Sequence, residues 1–157
     1  MKLTRQSSYA IRTLMYCAVN EPNLSHVADI AKAHSMSELF LFKLIKPLVE
    51  AGLIETVRGR RGGIRLGRPA SDITLLDTIK LTEENFAMAE CFEGGDVSCP
   101  LVDACDLNAA LREALGAFFN VLDSYTIADL VEKRVSLRER LGLSLEGAEP
   151  AAVAHVN

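Results

Sequence analysis

Residues 53–69, "LIETVRGRRGGIRLGRP", constrain the fold more than any other stretch, because of what they are and what precedes them. "LIETVRG" alternates like a strand, "RRGG" reads as a turn, and "IRLGRP" reads as the returning strand. Three helical segments come first. Thr4 is a good N-cap for a helix running to about Val19, with Tyr9, Ile11, Leu14, Met15 and Ala18 as its apolar content. "EPN" breaks it, and Ser25 is expected to cap a short second helix through Ala33, with Val27, Ile30 and Ala31 in the core. "HSM" is a tight turn. Ser37 then caps a third helix whose Leu41, Leu44, Ile45 and Leu48 follow the spacing of a buried stripe. Pro47 is expected to kink or shorten that helix, and Gly52 closes it. Helix, helix, turn, helix and a two-stranded hairpin is the order of a winged helix-turn-helix. The expected fold class is therefore mainly α with a small β-hairpin.

Downstream, Leu75, Leu76 and Ile79 mark another helix after Ser71 and Asp72. A long helical segment follows from about Asp106 to Asp123. In it, Leu107, Leu111, Ala114, Leu115, Phe118 and Leu122 make one continuous apolar face. Thr126 with Asp129 resembles a capping box for a final helix, "TIADLVEKR". The tail from about Gly142 is small, polar and Ala-rich, and is expected to be poorly ordered.

Charge divides the chain. Residues 1–70 hold 11 Lys/Arg against 5 Asp/Glu, while residues 71–157 hold 6 against 16. A basic half joined to an acidic half implies that only the first half meets a polyanion. No apolar run approaches the roughly 20 residues of a membrane span, and the opening "MKLTRQSSYAIRTLMYC" lacks a signal peptide's apolar core. The expected location is cytoplasmic, with no membrane partner.

The basic residues gather where a winged helix-turn-helix touches DNA. Such folds place the second helix of the motif in the major groove, here the segment Ser37–Glu50. Its outward face presents Ser37, Leu39, Phe40, Phe42, Lys43 and Lys46. The lysines can reach phosphates or guanine edges. Leu39, Phe40 and Phe42 can contact thymine methyls or complete the core, and the core reading is favoured for each aromatic. The hairpin turn carries Arg58, Arg60, Arg61 and Arg65 around Gly59, Gly62 and Gly63. Glycine permits a tight turn and close approach, and arginine at a wing tip suits a narrow, electronegative minor groove.

Three of the four cysteines, Cys91, Cys99 and Cys105, fall within "AECFEGGDVSCPLVDAC". Clustered thiols in a reducing compartment more often bind metal or do redox work than form a structural disulfide. Thiolate is a ligand for both iron–sulfur clusters and zinc. The spacing matches neither ferredoxin runs nor paired zinc motifs, so it indicates a metal or redox site without choosing between them. Cys17 lies among Leu14, Met15, Ala18 and Val19 and reads as a core residue. His26 and His34 flank the second helix, at surfaces or caps. No catalytic constellation stands out, so an enzyme is not expected. An electron carrier would leave the arginine wing without a use.

The wing "VRGRRGGIRLGRPASDITLLD", the loop "MAECFE…CPLVDACDLNAALREAL" and the opening "MKLTRQSSYAIRTLMYCA" together resemble one family of bacterial winged-helix regulators. That family includes the iron–sulfur assembly regulator IscR, the nitric-oxide-sensing repressor NsrR and the rhizobial iron regulator RirA. The RirA branch is the most similar, and the resemblance covers roughly residues 1–141. It implies a homodimer on palindromic double-stranded operator DNA. It also implies an iron–sulfur cluster on Cys91, Cys99 and Cys105, [4Fe–4S] ahead of [2Fe–2S], whose loss relieves repression of iron-uptake genes. The family's two precedents for a fourth ligand fall on Asn108 and Ser8, neither a persuasive iron ligand. The implied organisation is a DNA-binding unit over 1–80, a cluster loop over 81–105, and a dimerisation helix with a C-terminal helix over 106–141. Leu107, Leu111, Leu115, Phe118 and Leu122 form the dimer face. Other outcomes are a nitric-oxide or redox sensor of the same family, or a cluster-free zinc or thiol sensor.

Overall fold

A computed structural model describes residues 2–89, 92, 99–100 and 105–144. Among these residues, seven α-helices and one two-stranded antiparallel sheet follow in the order α1 (Arg5–Asn20), α2 (Val27–His34), α3 (Glu38–Glu50), β1 (Ile54–Val57), β2 (Gly63–Leu66), α4 (Leu75–Thr82), α5 (Asp106–Asp123), α6 (Ile127–Leu130) and α7 (Arg134–Leu141). The chain is thus mainly helical, with a hairpin in register Ile54↔Leu66 to Val57↔Gly63.

Helix α1 is the hub, in contact with α2, α3, β2, α4, α6 and α7. Its second half is apolar nearly all round, so Leu14, Tyr16, Cys17, Ala18 and Val19 are all buried. Ile30, Leu41, Leu48, Ile54, Ile73 and Ile127 complete a core from elements spread along the chain. Burying one such side chain stabilises the fold by roughly 1.5–3 kcal/mol before entropy is counted.

Several local expectations change. Ser25 does not cap α2. It is buried, and exchanges two backbone bonds of 2.8 Å with Ile64 of β2; its hydroxyl takes a bond from Asn20 Nδ2 at 3.1 Å. His26 occupies the N-cap position instead. The demand of the β2 edge for a backbone partner outweighs the capping preference. Pro47 does not shorten α3, which continues to Glu50; Gly52, at φ +69°, follows its end. The final helix is split into α6 and α7 at Val131, although the Thr126–Asp129 capping box forms as read. Thr74–Asp77 forms a second box at the start of α4, and the two helix starts are tied by Leu75 N–H to Tyr125 O and Ile127 N–H to Ile73 O. The tail beyond Ser144 lies outside the described residues.

Both ends of α1 are closed by distant residues. Thr4 takes the N-cap position, but its side chain makes no capping bond. Its N–H and Oγ1 instead donate to Glu83 Oε1, at 2.7 and 3.1 Å, and the Ser7 hydroxyl donates to the same oxygen. Burial opposes ionisation of Glu83, yet the bonds from Ser7 and Thr4 outweigh it and hold its carboxyl below the usual range. A depressed carboxylate contributes stability above its unfolded pKa and loses it as pH falls through the folded value. Acidifying from about pH 4.5, the ordinary value of this group, is therefore expected to lower the urea midpoint. Glu83→Gln should lie lower at neutral pH and lose less on acidification. Parallel acid slopes for the two proteins would show that Glu83 is not a source of that loss.

Candidate DNA interface and cysteine site

On α3, Leu41, Leu44, Ile45 and Leu48 are buried, which turns Leu39, Phe42, Lys43 and Lys46 outward at i, i+3, i+4 and i+7. Leu39 is 69% and Phe42 58% exposed. Ser37 caps the helix by accepting from Phe40 N–H at 3.4 Å. The three apolar candidates therefore separate. Phe40 is half-buried and meets Tyr9 edge-on at 5.4 Å, so it joins the core. Phe42 does not, and the core reading fails for it: it lies on the far side of the helix and, among the described residues, stays exposed. Lys46 reaches Glu50 at 3.9 Å, an exposed pair that contributes little.

The wing is tight for a steric reason. Gly59 has φ +119°, and a Cβ on Gly62 would sit 2.3 Å from the Val57 carbonyl oxygen. This turn leaves Arg58, Arg60 and Arg61 exposed at the tip, and among the described residues they make no ion pair. Arg65 differs. It stands opposite Glu55 in the register, and its Nε and Nη2 each lie 2.9 Å from Glu55 Oε2. Glu55 was not singled out from the sequence; the signal available was its cross-strand position. Arg68 is paired with Asp77. The tip thus presents three unpaired guanidinium groups, and the strand behind it is neutralised.

The cysteines divide as their neighbourhoods suggest. Cys17 is 1% exposed, and burial pushes its thiol up to about 12, against a hydrogen bond from Ser25. It is a core residue. Cys99 is exposed, and Cys105 is half-buried at the N-cap position of α5 with its side chain free of any capping bond. Cys91 lies outside the described residues, so the structure does not show all three together. Among the described residues no three His, Cys, Asp or Glu side chains gather as a metal site. The donor chemistry nevertheless fits an iron–sulfur group: the described thiols are unbridged, and the start of an 18-residue helix favours a negatively charged ligand. One turn on, Asn108 Oδ1 accepts from Arg112 Nε at 2.7 Å, and Arg112 lies 4.9 Å over Phe92. Ser8 is half-buried on the first turn of α1.

Helix α5 has no buried residue along its length. Leu107 and Val121 are 65% and 57% exposed, while Leu111, Leu115, Phe118 and Leu122 are half-buried. Among the described residues its main contact is α4, where Lys80 lies 5.7 Å from Phe119; Phe119 also meets Phe86, beyond α4, at 4.9 Å. Val121 extends the apolar face read from the sequence, and its spacing from Phe118 was the signal for it.

Three helices followed by a basic two-stranded wing, with an exposed outer stripe on the third helix, give the architecture of a winged helix-turn-helix. The Rrf2 family, described as an iron-dependent transcriptional regulator, matches residues 3–133, and the chain belongs to that family. Protein aau3 of Rhizobium meliloti (strain 1021) is 62% identical over 143 residues, covering 91% of this chain and 93% of that protein. The HTH-type transcriptional regulator NsrR of Geobacillus kaustophilus is 45% identical over 142 residues, covering 90% and 97%. Among solved structures, the oxidized form of Staphylococcus aureus CymR superposes with TM-score 0.67 at 28% identity, covering 84% of this chain and 97% of that one. Members of this family regulate transcription and are not enzymes. No helix among the described residues is long and apolar enough to cross a membrane.

Proposed function

We propose that this chain is an iron-responsive repressor that acts in the cytoplasm, binding palindromic operator DNA as a homodimer under the control of a labile iron–sulfur cluster. The observation that carries this is Cys105 at the N-cap position of α5, with its thiol unbridged, next to a helix that fully buries no residue of its apolar face among the described residues. Cys91, Cys99 and Cys105 would hold the cluster, [4Fe–4S] in preference to [2Fe–2S]. When bound, it supplies the element sensitive to iron supply and oxidants. A second copy would cover Leu107, Leu111, Leu115, Phe118 and Leu122.

The chain's own residues offer a route from that site to DNA. Cys105 stands at the N-cap position of α5. Helix α5 bears on α4 through Phe119, α4 ends at Glu83 on the start of α1, and α1 packs against α3. Half-sites one helical turn apart, about 34 Å, tolerate little change in the spacing of two reading helices. Coupling energies of this type are typically about 1–3 kcal/mol.

Anaerobically purified chain should carry an iron–sulfur cluster in native mass spectrometry. It should bind a duplex selected from a random-sequence pool roughly tenfold or more tightly than the same protein stripped by chelator. Cys105→Ala should match the stripped form. Equal affinity with and without the cluster would overturn the sensing mechanism, and a colourless protein holding stoichiometric zinc would replace the cofactor.

A further inference from the structure

Helix α3 departs from an ordinary surface helix at two positions. An outward helix face normally carries polar side chains, yet Leu39 and Phe42 stand 69% and 58% exposed. They are three residues apart and share one patch. Lys43 and Lys46 continue the same stripe, and the first strand of the arginine wing packs against this helix. The occupant that suits an apolar patch bordered by cations is a polyanion with apolar points of its own.

A reading helix reaches base edges with its N-terminal residues, and Leu39 and Phe42 lie in the first two turns of α3. Neither side chain can donate or accept a hydrogen bond. In the major groove the base-edge feature left for them is the C5 methyl of thymine. The Ser37 hydroxyl oxygen is engaged at the cap by Phe40 N–H. Glu38, the acidic residue of the first turn, would accept from the amino group of cytosine and so selects a different base.

We propose that Leu39 and Phe42 are specificity-determining residues that read thymine methyl groups in the operator half-site. This rests on the DNA-binding reading above, and the test separates the two. Duplexes are selected from a random pool with the full-length, anaerobically purified chain. The selected duplex is then remade with deoxyuridine in place of thymidine, one position at a time, which removes a methyl and leaves base pairing intact. One or two positions per half-site are expected to lose about fourfold in affinity each, the worth of one buried methyl. Phe42→Ala and Leu39→Ala should each bind more weakly and no longer distinguish deoxyuridine from thymidine at one of those positions. Phe42→Leu should retain part of the discrimination. Because both residues are exposed, circular dichroism should show the variants folded. If the unsubstituted chain binds every deoxyuridine duplex as tightly as the parent, while still preferring the parent to a scrambled duplex, methyl reading is wrong and the regulator reading stands. If it shows no preference over the scrambled duplex, the DNA-binding reading fails and this inference with it.

Discussion

Arg138→Ala is expected to destabilise the fold by about 3 kcal/mol, seen as a lower urea midpoint at fixed protein concentration. Arg138 is charged, yet only 1% exposed. Its Nη1 donates to Val19 O at 2.7 Å and its Nε to Ser144 O at 2.6 Å, and Nη2 also donates to Ser144 O. Val19 lies in the last turn of α1, where helix carbonyls lack a partner within the helix. A guanidinium there satisfies the carbonyl and complements the negative end of the helix dipole. Arg134 adds a bond from Nε to Val19 O at 3.2 Å and another to Glu21 O. Truncation removes three charge-assisted bonds, leaves Val19 O with only the longer bond from Arg134 and opens a cavity, so the cost exceeds that of one lost hydrogen bond. Arg138→Met separates these effects. It keeps most of the volume and should recover only the packing part. If Arg138→Met matches the parent, the carbonyl bonds contribute nothing net.

Replacing Arg60 and Arg61 together with Ala should weaken operator binding by about 2–4 kcal/mol, roughly 30- to 1000-fold, with no loss of thermal stability. The side chains are exposed at the wing tip and hold nothing in the fold. Each phosphate contact removed lowers the slope of log affinity against log salt by about 0.9, so the double variant should lose nearly two. The variant Glu55→Gln is a useful contrast. It removes the carboxylate charge that neutralises Arg65 across the strands, and the slope should hold or steepen. A double arginine variant that binds with the parent's affinity and slope would remove the wing from the interface.

The organisation of the chain was legible because it rests on local rules. The stripe Leu41, Leu44, Ile45 and Leu48 repeats with the helical period, and Ile54–Val57 and Gly63–Leu66 flank a turn that demands glycine. Asp106–Asp123 stands at the bounds read from the sequence, and Thr126–Asp129 closes its capping box within four residues. Cys17 was legible as a core thiol for the same reason, since its apolar neighbours are its own helix.

The failures share the opposite property. Ser25 left its expected cap because Ile64, far along the chain, offers two backbone bonds. Phe40 and Phe42 read alike in the sequence, and the packing separates them: Tyr9 of α1 takes Phe40 as its partner, while Phe42 faces outward. Arg134 and Arg138 of "RVSLRER", and Glu83, carry no local signal of the partners they take. Most elements, their order and the basic wing follow from the chain alone, because periodicity, turns and caps act within a few residues; the break between α6 and α7 does not. Only the tertiary structure decided which side chains close the two ends of α1, which aromatic faces outward and which arginines at the wing stay unpaired. Those outcomes depend on partners up to 119 residues away, and no local pattern encodes a partner at that distance.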